Sequence, residues 1–455
     1  VLREVSDADA YANLVAPRLL AARGLAGRDA AFATELAYGT LRMRGRYDAV
    51  LSLVVDRALD QLDPRVLDVL RLGTHQLLGM RVPAHAAVSQ TVGLARERIG
   101  AGPAQLVNAV LRKIAADDTE TWLERAEQAA GSDPDQRLAV RWSHPAWMVR
   151  ALREALVGHG RPAEELAALL AADDEPPRVT LVARPGLVET EETLRQAGPE
   201  ARAGQLAPTA VVLPGGDPRA LPAVRDGAAG VQDEGSQLVA LLLAAAPLDG
   251  PDAAWLDLCA GPGGKTALLG ALAAGRGAHV VANDVTPHRA DLVTQAVRAL
   301  APGTVEVRTG DGRETGEEEP GRYDRVLVDA PCTGLGALRR RPEARWRRTP
   351  ADLTSLGGLQ RDLLGSALRA VRVGGVVGYV TCSPHLAETT LVVTDAHRAA
   401  RKAGVEVEVI DPAPTLRQVT DADHADALTP AGTVQLWPHL HGTDAMSLTL
   451  LRRLA

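Results

Sequence analysis

Three cysteines, Cys259, Cys332 and Cys382, stand in a chain of 455 residues. None belongs to a CxxC pair, so neither a disulfide scaffold nor a structural zinc site is expected, and no metal is predicted. Two of them end apolar, strand-like runs: "VLVDAPCTGLG" (326–336) stops on Asp329 and Cys332, and "VGYVTCSPH" (377–385) on Cys382. A lone cysteine at a strand end is more often packing than chemistry. Two at the mouth of one parallel sheet, with a carboxylate beside them, can act on a pyrimidine. C5 of that ring is a poor nucleophile. A thiolate that adds to C6 makes C5 enamine-like. C5 can then take a methyl group, and a base must remove the C5 proton before the thiolate leaves. Two thiols and a carboxylate supply these roles, although their types do not say which thiol attacks.

The third cysteine opens a glycine-rich turn. "WLDLCAGPGGKTALL" (255–269) reads as a strand ending at Asp257, a turn from Cys259 through Ala260, Gly261, Pro262, Gly263 and Gly264 to Lys265, and a helix. Ligands of open α/β sheets sit over such turns. Gly264-Lys265-Thr266 matches the end of a phosphate loop, but the glycine a Walker motif needs five positions earlier is Cys259, which counts against an NTPase. Later strands end on Asp284, Asp311 and Asp329. Any one of these acids is explained by helix capping. Together they fit a ligand with a ribose, a cationic amino group and an adenine amine. With no GxGxxG present, S-adenosyl-L-methionine fits better than NAD.

The elements that must position these residues follow from periodicity. Residues 1–130 place apolar side chains at helical spacing and predict a bundle, with Asp63-Pro64 as a cap and Gly100 and Gly102-Pro103 as breaks. Arg42, Arg44 and Arg46 read as a solvated helix end. Residues 131–175 predict a connector of short helices, and 176–230 a small α+β module. Residues 231–455 alternate strand and helix, with strands at 253–258, 278–283, 304–308, 324–329 and 374–381 and a last helix at 385–402. That order predicts a doubly wound parallel sheet, with a final pair of strands in the tail. The expected fold is therefore multidomain, an all-α bundle, a small α+β module and a Rossmann-like α/β domain.

The net charge of −7 gives no global sign of a nucleic-acid partner, though local patches matter more. Arg3, Glu4, Asp7 and Asp9 do not read as a signal peptide, and the longest apolar run, 238–247, is too short to span a bilayer. A soluble cytoplasmic monomer without membrane contact is expected.

These motifs carry a resemblance. "DAPCTGLG" and "TCSPH" resemble the paired cysteine motifs of the Nol1/Nop2/Sun family of RNA 5-methylcytosine methyltransferases, and "DLCAGPGGKT" its S-adenosylmethionine motif. "GVQDEGSQL" (230–238) resembles the stretch before that motif, and "RRRPEARWRR" (339–348) the one after the first cysteine. "AAFATELAYGTLR" and "AHAAVSQTVGLAR" are similar to the NusB-type RNA-binding domain of the branch that acts on 16S ribosomal RNA. The resemblance covers nearly the whole chain. It implies a class I methyltransferase fold, Cys382 as nucleophile, Cys332 as the residue that assists product release, and Asp329 as the carboxylate near target base and donor. It implies a cofactor site of Cys259 to Lys265 with Asp284, Arg289, Asp311 and Asp329, and an RNA partner, 16S ribosomal RNA. Arg339, Arg340, Arg341, Arg345 and Arg347 are the expected RNA contacts; the alternative is a network that braces the cysteine loop. A non-catalytic RNA-binding factor is disfavoured because both cysteines and every cofactor acid are present.

Overall fold

The computed structural model describes residues 1–8 and 10–455. The chain divides into two compact units.

The first comprises Val1–Arg153, Leu166–Pro176 and Leu338–Arg348. Its helices include Gly27–Arg42, Arg44–Val54, Pro64–Leu78, Ala84–Arg98 and Ala101–Ile114, the last four packed around Val50, Leu51, Leu70, Val107, Leu111 and Ile114. Asp63 caps its helix, accepting from Arg65 N at 2.8 Å. The chain breaks at Gly100, at φ +142°, just before Ala101–Ile114. Gly102 and Pro103 lie inside that helix, because a proline in the first turn removes an N–H that has no partner there anyway.

The residues predicted as a connector form the expected short helices, Pro134–Arg141, Ala146–Gly158 and Leu166–Asp173, but are shared between the two units. Residues 131–153 and 166–176 belong to the first unit and 154–165 to the second. The Arg42–Arg46 turn is not solvated. Arg42 is buried, Arg46 donates to Arg141 O at 2.9 Å, and Arg44 pairs with Asp48 at 3.7 Å. Backbone carbonyls and carboxylates of the same unit replace the water these guanidiniums would otherwise need.

The second unit comprises Glu154–Glu165, Pro177–Ala337 and Thr349–Ala455. It opens with β1 (Thr180–Ala183), β2 (Arg202–Ala203), β3 (Ala210–Val212) and β4 (Ala229–Val231), an antiparallel sheet in the order β2-β3-β1-β4. This module is not a separate body, because it shares a core with the helix Glu234–Ala245: Val182, Leu206 and Ala210 cluster with Leu238 and Leu242. Buried Glu234 accepts from Ala207 N at 2.9 Å, and Gln237 accepts from the Thr209 hydroxyl at 2.8 Å.

The large sheet contains β5 (Ala254–Asp257), β6 (His279–Asp284), β7 (Val305–Thr309), β8 (Tyr323–Asp329), β9 (Val371–Thr381), β10 (Val407–Val409), β11 (Val434–Gln435) and β12 (Ser447–Arg453). Its order is β10-β12-β9-β8-β5-β6-β7, with β11 paired to β12. β5 to β9 are parallel; the apolar runs of β5, β6 and β8 reflect cover on both faces, whereas the edge strand β7 is half-exposed and carries Glu306 and Arg308. The sheet is not wholly parallel: β12 enters antiparallel between β9 and β10. The chain winds from β5 through β6 to β7, then returns to β8 on the other side of β5. The carboxyl ends of β5 and β8 therefore flank a topological switch point, where α/β folds open a crevice. Among the described residues, no helix is long and apolar enough to cross a membrane.

Candidate active site

The turn after β5 is shaped by its glycines. Gly263 has φ +104°, a left-handed conformation that a side chain resists, and a Cβ there would lie 2.7 Å from Ala296 Cβ. A Cβ on Gly261 would lie 2.6 Å from both Asp284 Oδ2 and Arg289 Nε. That closeness is functional in the geometry: Gly261 N donates to Asp284 Oδ2 at 3.0 Å, and Arg289 donates to Gly261 O. Asp284 also accepts from Thr286 N at 3.0 Å. A carboxylate offers about four lone-pair sites, so these two bonds leave acceptors to spare.

Asp257, at the end of β5, is buried and accepts from the Thr266 hydroxyl at 2.7 Å. Burial pushes its carboxyl up to about 7, against the Thr266 hydrogen bond and with help from the Asp329 charge. Burial first, and then Asp257, Asp329 and Asp284, push the Cys259 thiol well up. Cys259 is therefore an uncharged thiol among acids, and what its turn offers a ligand is backbone. Asp311 lies after β7 and holds Arg313 through Nε at 3.0 Å, which keeps its carboxyl below the usual range.

At the end of β8, Asp329 accepts from Lys265 Nζ at 2.8 Å. Burial works against the Lys265 ammonium, but Asp329, then Cys382 and Asp257, hold it above its ordinary value. The two sulfurs beyond β8 and β9 meet, with Cys332 Sγ and Cys382 Sγ 3.3 Å apart. The hydrogen bond to Cys382, followed by burial and the charges of Cys382, Glu388 and Asp329, pushes the Cys332 thiol well above its usual range. The neighbouring sulfur and burial thus favour the protonated form of Cys332. The structure brings Cys259 to Lys265, Asp284, Arg289, Asp329, Cys332 and Cys382 to one end of the sheet.

Other polar residues of this end carry no motif signal. Asn283 Nδ2 donates to Leu258 O at 3.3 Å and to Gly310 O at 3.0 Å, tying the turns after β5 and β7 together. Glu388 and Gln360 are fully buried behind the cysteine loops. A buried polar residue at a strand end is the only sequence cue to Asn283, since its side chain points opposite to that of Asp284.

The arginine stretch belongs to the first unit. Arg345 is fully buried: Nη1 donates to Asp174 Oδ1 at 2.6 Å and Nη2 to Asp173 O at 2.7 Å. It cannot meet RNA as the sequence led one to expect, because its charge is neutralised inside the unit. Arg339 is buried too, and Arg347 donates to Val5 O at 2.6 Å and Ala10 O at 2.7 Å. Arg340 is half-buried, and Arg341 is exposed with its guanidinium 5.4 Å from the centre of the Tyr11 ring.

Comparison with known proteins agrees with both units. Residues 243–452 match the family model described as 16S rRNA methyltransferase RsmB/F, and residues 1–116 match the NusB family. A Mycobacterium tuberculosis (strain H37Rv) protein named as a methyltransferase, Rv1407, is 53% identical over 453 residues, covering 100% of this chain and 95% of its own. The ribosomal RNA small subunit methyltransferase B of Pseudomonas syringae pv. tomato is 34% identical, over 84% of this chain and 82% of its own. The crystal structure of PH0851 matches with a TM-score of 0.76 at 22% identity, covering 96% of this chain and 93% of that one, a likeness of fold. The chain belongs to the RsmB/F family of ribosomal RNA methyltransferases, enzymes that take their methyl group from S-adenosyl-L-methionine.

Proposed function

We propose that this enzyme methylates C5 of a cytosine in 16S ribosomal RNA through a covalent bond between Cys382 and C6. The observation that carries the reading is the pair of sulfurs 3.3 Å apart at the sheet end that also carries the Lys265–Asp329 ion pair. When bound, S-adenosyl-L-methionine supplies an electrophilic methyl group. The residues present fit it: the Gly261–Gly264 turn lets backbone approach closely, Asp284 has acceptors left for ribose hydroxyls, and Asp329 stands at the end of β8 beside that turn, while Asp311 is held by Arg313. Arg289 holds the turn from outside through Gly261 O.

The roles of the thiols follow the paired cysteine motifs that the chain resembles. Lys265 favours the thiolate at Cys382, which adds to C6. C5 then takes the methyl group. Once Cys382 is a neutral thioether, the main influence holding the proton on Cys332 has gone. Cys332 can lose that proton to water and, as thiolate, remove the proton from C5. The C5–C6 double bond re-forms and Cys382 departs as thiolate. Asp329 keeps Lys265 charged throughout. The helical first unit is assigned RNA affinity, and of the five arginines Arg341 is best exposed for phosphate.

Bisulfite sequencing of total RNA tests the reading. One cytosine of 16S ribosomal RNA should lose its protection in a deletion strain and regain it on complementation with the wild-type chain but not with Cys382→Ala. Unchanged protection in 16S RNA, or loss in transfer RNA instead, would overturn it.

Asp284→Ala should weaken donor binding without unfolding the protein. It removes a charged acceptor from a buried site and releases Gly261 N and Thr286 N, a loss on the order of 1.5–3 kcal/mol. Calorimetry with S-adenosyl-L-methionine should show a Kd raised by about ten- to a hundredfold. An unchanged Kd would remove Asp284 from the site.

A further inference from the structure

The helix predicted from 385 begins only at Thr390, and residues 386–389 form a turn. That turn carries Glu388, which is fully buried. Its Oε1 accepts from Thr333 N at 2.7 Å and from Gln360 Nε2 at 3.2 Å, and its Oε2 from the Thr333 hydroxyl. The Gln360 amide also donates to Pro331 O at 2.8 Å. Both neighbours of Cys332 in the chain are therefore fixed from behind, Thr333 by Glu388 directly and Pro331 through Gln360. On the other side, Gly336 N donates to Cys382 O at 2.9 Å, and the Thr333 and Ser383 hydroxyls lie 3.4 Å apart. Tyr379 of β9 completes the enclosure by donating to Glu388 O at 2.8 Å.

A buried carboxylate is costly unless it is well bonded. Three donors from two elements satisfy this one, and a neutral side chain could cover the same space. What the carboxylate adds is a rigid double acceptor for Thr333.

We infer that Glu388 is a positioning residue for the release step: it fixes the Cys332 loop so that this sulfur stays in contact with Cys382. This rests on the covalent reading above. Glu388 touches neither RNA nor donor in this role; it acts through Thr333 and Gln360.

The test uses the full-length protein with 16S ribosomal RNA and S-adenosyl-L-methionine. Glu388→Gln keeps the shape and one acceptor but loses the charge and the second acceptor. Displacement of Cys332 by even an ångström should lower kcat by up to about 10²-fold. The Kd for S-adenosyl-L-methionine and the KM for RNA should hold within about twofold of wild type. Release should suffer more than attack, so a protease-sensitive RNA–protein band should accumulate on a denaturing gel, weaker than that from Cys332→Ala. Glu388→Asp, which restores charge on a shorter arm, should give less of the band than Gln. If Cys332→Ala traps RNA and Glu388→Gln turns over normally or loses activity without trapping, this inference is overturned and the covalent reading stands. If Cys332→Ala also fails to trap, the covalent reading falls and takes the inference with it. Loss of donor binding in both Glu388 variants would assign the residue to folding and overturn the positioning role.

Discussion

Cys382→Ala is expected to abolish methylation, with kcat falling by on the order of 10⁴-fold or more, the scale of losing a catalytic nucleophile. Donor binding should survive, because the turn after β5 does not depend on this side chain. Cys332→Ala should lose turnover for a different reason. Attack at C6 and methyl transfer remain open to it, but removal of the C5 proton is slowed. The protein should then stay bonded to its methylated RNA through Cys382. Labelled RNA on a denaturing gel should show a shifted, protease-sensitive band for Cys332→Ala and none for the double variant. Either variant leaves one thiol of a pair whose sulfurs lie 3.3 Å apart, so the two are read on the same gel. A band from Cys382→Ala instead would reverse the two roles. No band from either variant would remove the covalent route.

The motif-bearing strands are legible because each is short, apolar and punctuated. β5, β6 and β8 lie within a residue or two of their predicted bounds, since parallel strands buried on both faces must be apolar throughout and must stop where a polar loop begins; the edge strand β7 is legible instead from its alternating Val305 and Val307. Asp284 and Asp329 could be placed for the same reason, each being the first carboxylate after such a run. What escaped the sequence depends on distant partners. Glu388 sits in a region with helical periodicity, yet its bond to Thr333 spans 55 positions. β12 could be recognised as a strand, but no local pattern says that it inserts antiparallel between β9 and β10. A run of six arginines looks like a solvated face, and nothing near it predicts that Arg345 pairs with a carboxylate 171 residues away.

That pair should be the most sensitive point of the first unit. Arg345 fills a fully buried position with bonds to Asp174, Asp173 O, Arg42 O and Ser143 O. Burial pushes the Asp174 carboxyl up, while Arg345, His144 and Arg46 pull it down. His144 contributes little charge of its own at neutral pH, because burial lowers its imidazole to about 3. Arg345→Met would remove the principal cation and leave Asp174 buried beside a neutral imidazole and Arg46 at 3.7 Å. Breaking such a pair from one side costs about 3–5 kcal/mol. Differential scanning calorimetry should show the transition of the first unit lowered by on the order of 10 °C. Limited proteolysis should open the chain within 338–348, while the affinity for S-adenosyl-L-methionine, carried by the other unit, stays near wild type. Adding Asp174→Leu should recover much of the loss, since removing both charges spares the protein an uncompensated one. An Arg345→Met protein as stable as wild type would mean that water reaches Asp174 and that the segment is held by its backbone contacts alone. The same bonds bear on fragments. A chain cut near residue 170 keeps Asp173 and Asp174 but strips Arg42 and Ser143 from Arg345, so it should melt earlier than the second unit does in the full-length protein. Any RNA affinity it loses then reflects both the missing helices and a loosened 338–348 segment, and Arg345→Met in the intact chain separates the two.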